Sequence, residues 1–289
     1  MKFASIFRSH DIKPEWAFTA EGVLWRLMCA VGGKIVGEAR DQERKSASFF
    51  CLDEQTGVPF WKDLRLEEPW WVGIEAVIGD TLLFHSYSKP DMPQHRGVRA
   101  FNVQTGGERW RNDDITFWFA TTESLCGYRD FFEKRVAYEL DLKSGDVLRS
   151  FEDAPRELLD LKSAAVENQD LENVVVPEPY DDTAASDEIR GLLAKALRGA
   201  NPVGPIDVLR HRDCVAFSYY LKASRSQVDR PLFNCNLCVF RVPGGDRIFS
   251  EITNSGLALP VPDTFFLRGK RLLYIKDQRT LVSLRLWQS

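Results

Sequence analysis

The sequence lacks any apolar run of about 18 residues, the length that a membrane-spanning helix needs, and its amino terminus lacks the apolar stretch of a secretory signal. These absences predict a cytoplasmic protein without a membrane partner. The formal net charge is only −4 over 289 residues, so the composition does not indicate a nucleic acid as partner either. We expect a monomer.

Local catalytic motifs are also missing. The chain contains no Gly-x-Ser-x-Gly nucleophile turn, no phosphate-binding glycine loop and no His-Glu-x-x-His pair. Their absence leaves open whether the protein is an enzyme, because single residues from distant strands can also assemble a site. The six cysteines include no adjacent pair, and in a cytoplasmic protein we expect them to be reduced and to pack as small apolar side chains.

A six-residue turn motif recurs four times. An apolar residue is followed by a polar one, two variable residues, a small residue and a glycine, at 52–57, 101–106, 140–145 and more weakly 240–245. An Asp or Asn side chain can accept hydrogen bonds from the amides of such a turn, and glycine tolerates the positive φ that closes it. Four residues after each glycine stands a large side chain: Trp61, Trp110, Arg149 or Phe249.

The spacing of these turns predicts the architecture. The four glycines are 49, 39 and 100 residues apart, and periods of about 40 to 50 residues are typical of repeated four-stranded units. Short β-branched and aromatic runs place the first three units at about 22–64, 70–113 and 116–153, a fourth from 206, and a fifth over 264–286. The last unit has only three strands of its own, and residues 3–7 are the candidate for its fourth.

The Asp-x-x-Thr-Gly turn followed by Trp resembles the repeat of the pyrroloquinoline-quinone-type β-propellers, closely over 22–153 and loosely over 205–289. The whole chain also resembles an uncharacterised bacterial family of propeller-like proteins with no assigned activity. The resemblance implies an all-β propeller of about five four-stranded blades, with six as the alternative. Quinone enzymes of this type have more blades, adjacent cysteines and a calcium site, so the resemblance concerns the scaffold, and we expect no cofactor.

The repeat is interrupted at 155–204. Residues 151–190 carry twelve acidic and three basic side chains, and an apolar stripe at helical spacing follows: Ile189, Leu192, Leu193, Ala196 and Leu197. Ser186 or Asp182 can cap this helix, and Gly199 can end it. We therefore predict one propeller domain over 1–289 with an acidic, partly helical insertion at 155–204. We expect the insertion to contact the propeller through the stripe alone, with 167–185 exposed.

One cysteine-rich pattern is a weak candidate for a zinc site: His211, Cys214, Cys235 and Cys238. Two close pairs of nitrogen or sulfur ligands can surround one ion tetrahedrally. Positions three apart on an extended strand, however, face opposite sides of the sheet. The favoured interpretation is that these residues belong to the core and that no metal is bound.

Candidate binding residues come from the loops between the second and third strands of each blade and from the segment that links the first two blades. These loops, placed at 38–48, 85–97, 129–135 and 222–233, carry eleven basic and seven acidic residues, so they favour an anionic partner. The predicted site residues are Trp70, Trp71, Glu75, His85, Tyr87, His95 and Arg96. The predicted function is a module that binds an unknown protein or an anionic small molecule. The alternative is a hydrolase or lyase acting on such a molecule, with Glu75, His85 and His95 as acid and base.

Overall fold

The structure of the chain is a computed structural model that describes residues 12–88, 92–152, 155–224 and 231–287. The described residues form two compact units. One unit contains those of Met1–Thr19 and Asn173–Ser289, and the other contains those of Ala20–Glu172.

The elements follow one another in this order. The first thirteen strands are β1 (Pro14–Thr19), β2 (Val23–Ala30), β3 (Lys34–Asp41), β4 (Ser46–Asp53), β5 (Pro59–Leu64), β6 (Val72–Ile78), β7 (Thr81–Tyr87), β8 (His95–Asn102), β9 (Glu108–Asn112), β10 (Thr116–Ala120), β11 (Ser124–Asp130), β12 (Arg135–Asp141) and β13 (Val147–Phe151). They are followed by α1 (Pro155–Ser163), β14 (Val174–Val175), β15 (Glu178–Pro179), α2 (Asp187–Leu197), β16 (Asp207–His211), β17 (Cys214–Lys222), β18 (Phe233–Arg241), β19 (Arg247–Leu257), β20 (Phe265–Arg268), β21 (Arg271–Lys276) and β22 (Thr280–Arg285).

Five antiparallel sheets account for all of these strands. The Ala20–Glu172 unit contains three four-stranded sheets, β2 to β5, β6 to β9 and β10 to β13, in each of which consecutive strands pair. The other unit contains a sheet of β15 to β19 and a sheet in the order β1-β22-β21-β20-β14. The predicted fold class is confirmed: the chain is all-β, with five blades of the β-propeller type. Its last two blades have five strands instead of the predicted four, because β14 and β15 add short edge strands.

The four repeated turns have the predicted conformation. Gly57, Gly106, Gly145 and Gly245 all have positive φ, between 68° and 76°. Each glycine amide donates to the carbonyl four residues earlier over 2.8–2.9 Å. In the first turn Oδ1 of Asp53 also accepts from the amides of Gln55 and Thr56 at 3.0 and 2.8 Å. Local turn chemistry therefore fixes where one strand ends and the next begins.

The tryptophan after each of the first two turns packs on the turn of the following sheet. The indole of Trp61 covers Gly106 so closely that a Cβ there would lie 2.9 Å from the ring, and its Nε1 donates to the carbonyl of Val103 over 2.7 Å. Trp110 covers Gly145 in the same way and donates to the carbonyl of Leu142 over 3.1 Å. Each glycine is therefore required twice, for its φ and for the room that it leaves.

The third and fourth turns depart from this pattern. Arg149 stands where a tryptophan would, is exposed, and donates to Glu139 over 2.6 Å. In the other unit, helix α2 covers the fourth turn: Leu192 lies 3.1 Å from where a Cβ of Gly245 would be, and Lys195 donates to the Gly245 carbonyl over 3.4 Å.

The amino-terminal part of the chain contributes a strand to the last sheet. Strand β1 pairs antiparallel with β22, with Phe18 opposite Leu281, and the side chain of Trp16 is buried. The prediction of an amino-terminal strand was therefore correct in kind, but the strand is Pro14–Thr19. The predicted segment 3–7 lies outside the described residues.

The interruption at 155–204 is partly helical. Helix α2 begins after Ser186, whose side chain accepts from the amide of Ile189, and it buries the predicted stripe against β17 and β18. The expectation that only this stripe makes contact was wrong. Strands β14 and β15 pair with β20 and β16, and within the Ala20–Glu172 unit the backbone of 166–170 bonds to Ala120, Val77 and Cys29. The boundary between the two units falls inside this segment, after Glu172.

Within the described residues, neither helix is long and apolar enough to cross a lipid bilayer.

Replacing Gly106 by Ala tests the packing of tryptophan on the turn. Gly79→Ala is the matched control, because Gly79 also has positive φ but no atom lies within 4 Å of a Cβ there. We expect Gly79→Ala to cost about 1–2 kcal/mol for the left-handed backbone. Gly106→Ala should cost about 1–3 kcal/mol more, because the methyl group meets Trp61. Urea unfolding of both variants measures this difference, and equal losses would show that Trp61 does not constrain the turn.

Candidate functional site

A cavity of about 530 Å³, which we call the aromatic pocket, is lined by residues on the strands of the first two sheets of the Ala20–Glu172 unit and in the segments that connect these strands. The lining residues are Trp25, Arg40, Gln42, Lys45, Trp70, Trp71, Tyr87, Met92 and Pro93. Of these nine, which are the lining residues within the described part of the chain, four are aromatic, two are basic and none is acidic. The pocket therefore combines flat apolar walls with positive charge.

The segment between β5 and β6 fixes the two central tryptophans of the pocket. The side chain of Glu68 accepts from the amides of both Trp70 and Trp71 at 3.0 Å. The carbonyl of Trp71 accepts from the amide of Tyr87 at 2.9 Å, which ties this segment to β7. The three aromatic rings then follow one another edge to face, with centroids 6.4 and 6.0 Å apart.

A buried ion pair between Arg40 and Glu38 holds the backbone beside the pocket. Nε of Arg40 donates to Glu38 over 2.6 Å, and the guanidinium also donates to the carbonyls of Trp70 and Val72 at 3.0 and 2.5 Å. Both side chains are almost completely buried. The second oxygen of Glu38 accepts from the amide of Ile74 over 3.0 Å. This network joins β3 to the start of β6 and uses most of the hydrogen-bonding capacity of both charged groups.

Two cations lie near the face of one pocket tryptophan. The guanidinium carbon of Arg40 and Nζ of Lys45 are each 5.0 Å from the ring centroid of Trp70. The guanidinium is also 5.5 Å from the ring of Trp25. Contacts of this kind attract a cation to the aromatic ring by about 0.5–2 kcal/mol, so they hold both basic side chains at the wall of the pocket.

A second group of residues, the Glu75–His85–His95 cluster, lies beside the pocket. Nδ1 of His95 is hydrogen-bonded to Oε2 of Glu75 at 2.7 Å, and Nδ1 of His85 lies 3.0 Å from the same oxygen. The two imidazole rings stack with centroids 3.5 Å apart and planes inclined by 6°. Tyr87 contacts both rings edge to face and also lines the aromatic pocket.

Irregular strand pairing brings the three side chains of the cluster together. The register of β6 against β7 shifts between Ile74 and Ala76, which leaves Glu75 as an extra, bulged residue. The register of β7 against β8 shifts between Phe84 and Ser86, on either side of His85. Bulges redirect side chains that regular alternation would place elsewhere. Here they aim a carboxylate and an imidazole at the same point.

Burial and charge determine the ionisation of the cluster. Burial of the Glu75 carboxyl group acts to raise its pKa, but close contact with His85 and His95 outweighs burial and lowers the pKa to about 2. Burial lowers the pKa of His85, although Glu75 partly opposes this shift. Glu75 is therefore a carboxylate at neutral pH, and His85 favours its uncharged form.

His95 also lines a separate polar cavity of about 300 Å³. The other lining residues are Ser88, Gln94, Arg96, Asp114, Thr116, Arg129 and Asp130. The cluster therefore has the aromatic pocket on the side of Tyr87 and this polar cavity on the side of His95.

The structure brings together five of the seven predicted site residues, which are Trp71, Glu75, His85, Tyr87 and His95. Trp70 packs on Trp71, and Arg96 follows His95 on β8. The predicted loop over 85–97 was wrong at its ends, because His85 and Tyr87 lie on β7 and His95 and Arg96 lie on β8. Trp70 and Trp71 lie between the first two sheets, as predicted. His85 is buried within β7. Arg96 is exposed and pairs with Asp114 at 3.5 Å.

Sequence reasoning did not select Trp25, Glu38 or Arg40 as site residues. Trp25 and Arg40 reach the pocket from β2 and β3, more than 30 residues before Trp71 in the chain. The only sequence signal for Arg40 and Glu38 was a pair of opposite charges two residues apart, on the same side of a strand.

The hypothetical zinc ligands are not brought together. Cys214, Cys238 and Cys235 belong to three different apolar clusters, and His211 packs against Trp287. Cys235 and Cys238 lie three apart on β18, where the strand directs them to opposite faces. Burial raises the pKa of the Cys214 thiol to about 11, so it stays protonated. The three cysteines are buried in the core and His211 is only partly buried, in line with the favoured interpretation for the cysteines.

The chain matches a family model of unknown function and is similar to a number of solved structures, two of which follow. A family model described as a domain of unknown function (DUF4905) matches residues 31–110, which include Arg40, the Trp70–Trp71 pair and the whole cluster. The chain is similar to the β-propeller domain of the Trilobed protease from Pyrococcus furiosus, with 11% identity over 87% of this chain and 62% of that one, at a TM-score of 0.32. It is also similar to a member of the DUF4221 family from Bacteroides vulgatus, with 10% identity over 96% and 98% of the two chains and a TM-score of 0.34.

The chain spans only 62% of the Pyrococcus furiosus chain. No curated protein matches the sequence.

Replacing Arg40 by Met tests whether the buried ion pair supports the site. Glu38 would then be a buried carboxylate without its cation, so we expect a loss of about 3–5 kcal/mol in the free energy of unfolding. Adding Glu38→Gln should restore part of this loss. Arg65→Met is the control, because its pair with Glu21 is about half exposed and should contribute less than about 1 kcal/mol. Similar losses for Arg40→Met and Arg65→Met in urea unfolding would contradict this account.

Proposed function

We propose that this chain binds a small anion that carries a flat ring, and that the aromatic pocket is the binding site. The observation that carries the proposal is the composition of the pocket wall, where the described residues include four aromatic and two basic side chains and no acidic one. Its volume of about 530 Å³ falls within the range of about 300–1,000 Å³ that is common for small-molecule sites.

The aromatic walls favour a ring-shaped ligand. Trp25 has 60% of its surface exposed, whereas large aromatic side chains are usually covered in a folded protein. A flat ring placed against Trp25 or Trp71 would cover this surface and gain stacking energy. Because Glu68 and Tyr87 fix the Trp70–Trp71 segment, the walls are formed before a ligand arrives.

Lys45 supplies the charge that favours an anion. Arg40 already pairs with Glu38, so its charge is largely compensated. Lys45 is exposed, and no carboxylate of the described residues forms an ion pair with it. Its Nζ is held over Trp70 at the wall of the pocket. An anionic group of the ligand at this position would gain a charge-assisted hydrogen bond.

A small molecule fits this concave site better than a protein surface does, although both were predicted as partners. The turn repeat supports a scaffold shared with the quinone-type propellers, but the proposed ligand does not depend on quinone chemistry. A cytoplasmic location and a monomeric state remain predictions.

Acid–base catalysis on an anionic small molecule is a second candidate function. It is favoured by the position of two imidazoles at one carboxylate, because the Nδ1 atoms of His85 and His95 both lie within 3.0 Å of Oε2 of Glu75. His95 would exchange the proton because it is partly exposed, and Glu75 would orient its ring.

A matched pair of probes tests the proposed function. Isothermal titration calorimetry of the full chain with 2-naphthoate and with its neutral amide, 2-naphthamide, separates the contribution of charge from that of the ring. We expect the acid to bind at least tenfold more tightly. Lys45→Gln should remove that preference, and Trp71→Leu should weaken both probes.

Lys62→Gln is the control for the lysine substitution, because Lys62 is exposed and does not line the pocket. It should leave both affinities unchanged. The proposal would be overturned if neither probe binds, or if Lys45→Gln and Lys62→Gln have the same effect.

A further inference from the structure

His85 is a buried polar side chain that makes no hydrogen bond within the described residues. Only 3% of the His85 side chain is exposed, and neither of its ring nitrogens has a hydrogen-bond partner among the described residues. Its Nδ1 lies 3.0 Å from Oε2 of Glu75, but the two groups are not aligned as a hydrogen bond. Buried polar atoms are normally paired, so an unpaired imidazole aimed at a carboxylate indicates a ligand at this place.

The distances in the cluster are close to those of a metal site. The donor atoms of Glu75, His85 and His95 all lie within 4.8 Å of one another, and the two Nδ1 atoms lie 3.0 and 2.7 Å from Oε2. Around a tetrahedral ion with bonds of about 2.1 Å, neighbouring ligand atoms are about 3.4 Å apart. Moving each Nδ1 away from Oε2 by less than about 1 Å would therefore bring these two distances to the spacing around an ion.

We propose that Glu75, His85 and His95 bind one divalent transition-metal ion, with Zn²⁺ as the representative case. Two imidazoles and one carboxylate form the ligand set that zinc and its neighbours in the first transition row accept. Mg²⁺ and Ca²⁺ prefer sites made of oxygen atoms and fit this set poorly. The proposed metal site is separate from the aromatic pocket and does not depend on the ligand proposed there.

Binding requires one ring to turn. The imidazoles now lie parallel, so their lone pairs do not meet at one point. His95 has room for this movement because it is about one-third exposed and lines the polar cavity. The same cavity gives water access to the ion, so a fourth position would remain open to solvent or substrate.

The far side of His85 is also suited to a ligand role. A Cβ at position 73 would lie 3.0 Å from Nε2 of His85 and 3.3 Å from Oε2 of Glu38, so both groups border the space that Gly73 leaves open. Histidines that bind a metal through one nitrogen usually donate the other N–H to a carboxylate or carbonyl. Glu38 supplies a carboxylate at the edge of the same space.

Calorimetric titration of the metal-free full chain with Zn²⁺ tests this proposal, after dialysis against a chelator. We expect one ion per chain in the wild type. His95→Ala and Glu75→Gln should each weaken binding at least a hundredfold, and Glu75→Gln keeps the shape of the side chain. His211→Ala is the matched control and should bind like the wild type, because His211 lies in the other unit. Circular dichroism confirms that each variant is folded.

A titration with Co²⁺ adds a spectroscopic measurement. Visible absorption typical of a four- or five-coordinate ion should appear in the wild type and be lost in His95→Ala. The proposal is overturned if the wild type binds no Zn²⁺, if His95→Ala and His211→Ala bind equally well, or if Mg²⁺ binds as tightly as Zn²⁺. Lys45→Gln should not change Zn²⁺ affinity, so failure here is distinguishable from failure of the aromatic pocket.

Discussion

The packing of a tryptophan on the glycine turn of the next sheet is the interaction on which the first three sheets depend. Trp61 and Trp110 each fill the space that the missing side chain of Gly106 or Gly145 leaves, and each satisfies a turn carbonyl. Each contact joins two neighbouring sheets at one fixed point. Because protein interiors tolerate few voids, that point also fixes how the apolar faces of the two sheets pack together. The candidate site lies where the first and second sheets meet.

Two kinds of structural feature form that site, a buried ion pair and irregular strand pairing. The network of Arg40 and Glu38 holds the backbone around Trp70 and Val72, so the walls of the aromatic pocket follow from a buried ion pair. The Glu75–His85–His95 cluster instead follows from two interruptions of regular strand pairing. Buried charges and bulges both reduce stability where they occur, and sites of this kind are commonly places where stability gives way to function.

The sequence predicted the parts of the fold that depend on local chemistry. Three sheets expected at 22–64, 70–113 and 116–153 span 23–64, 72–112 and 116–151, because an Asp or Asn and a glycine fix each turn. The membership of Glu75, His85 and His95 in one site was also predicted, but not their contact, which depends on a register shift that no local signal reveals. Trp25 and Arg40 were missed because they come from another sheet. The burial of Cys214, Cys235 and Cys238 in the core was predicted, because positions three apart on a strand face opposite sides of the sheet.

The pairing of β1 with β22 has a consequence for how the chain is made. Thr19 and Thr280 face each other across this pair although 261 positions separate them, so the contact closes one of the longest loops in the molecule. During translation, Thr19 of β1 is therefore made 261 positions before its partner Thr280 in β22. The edge of β1, with the apolar side chains of Trp16 and Phe18, must therefore avoid other partners while the residues between β1 and β22 are synthesised.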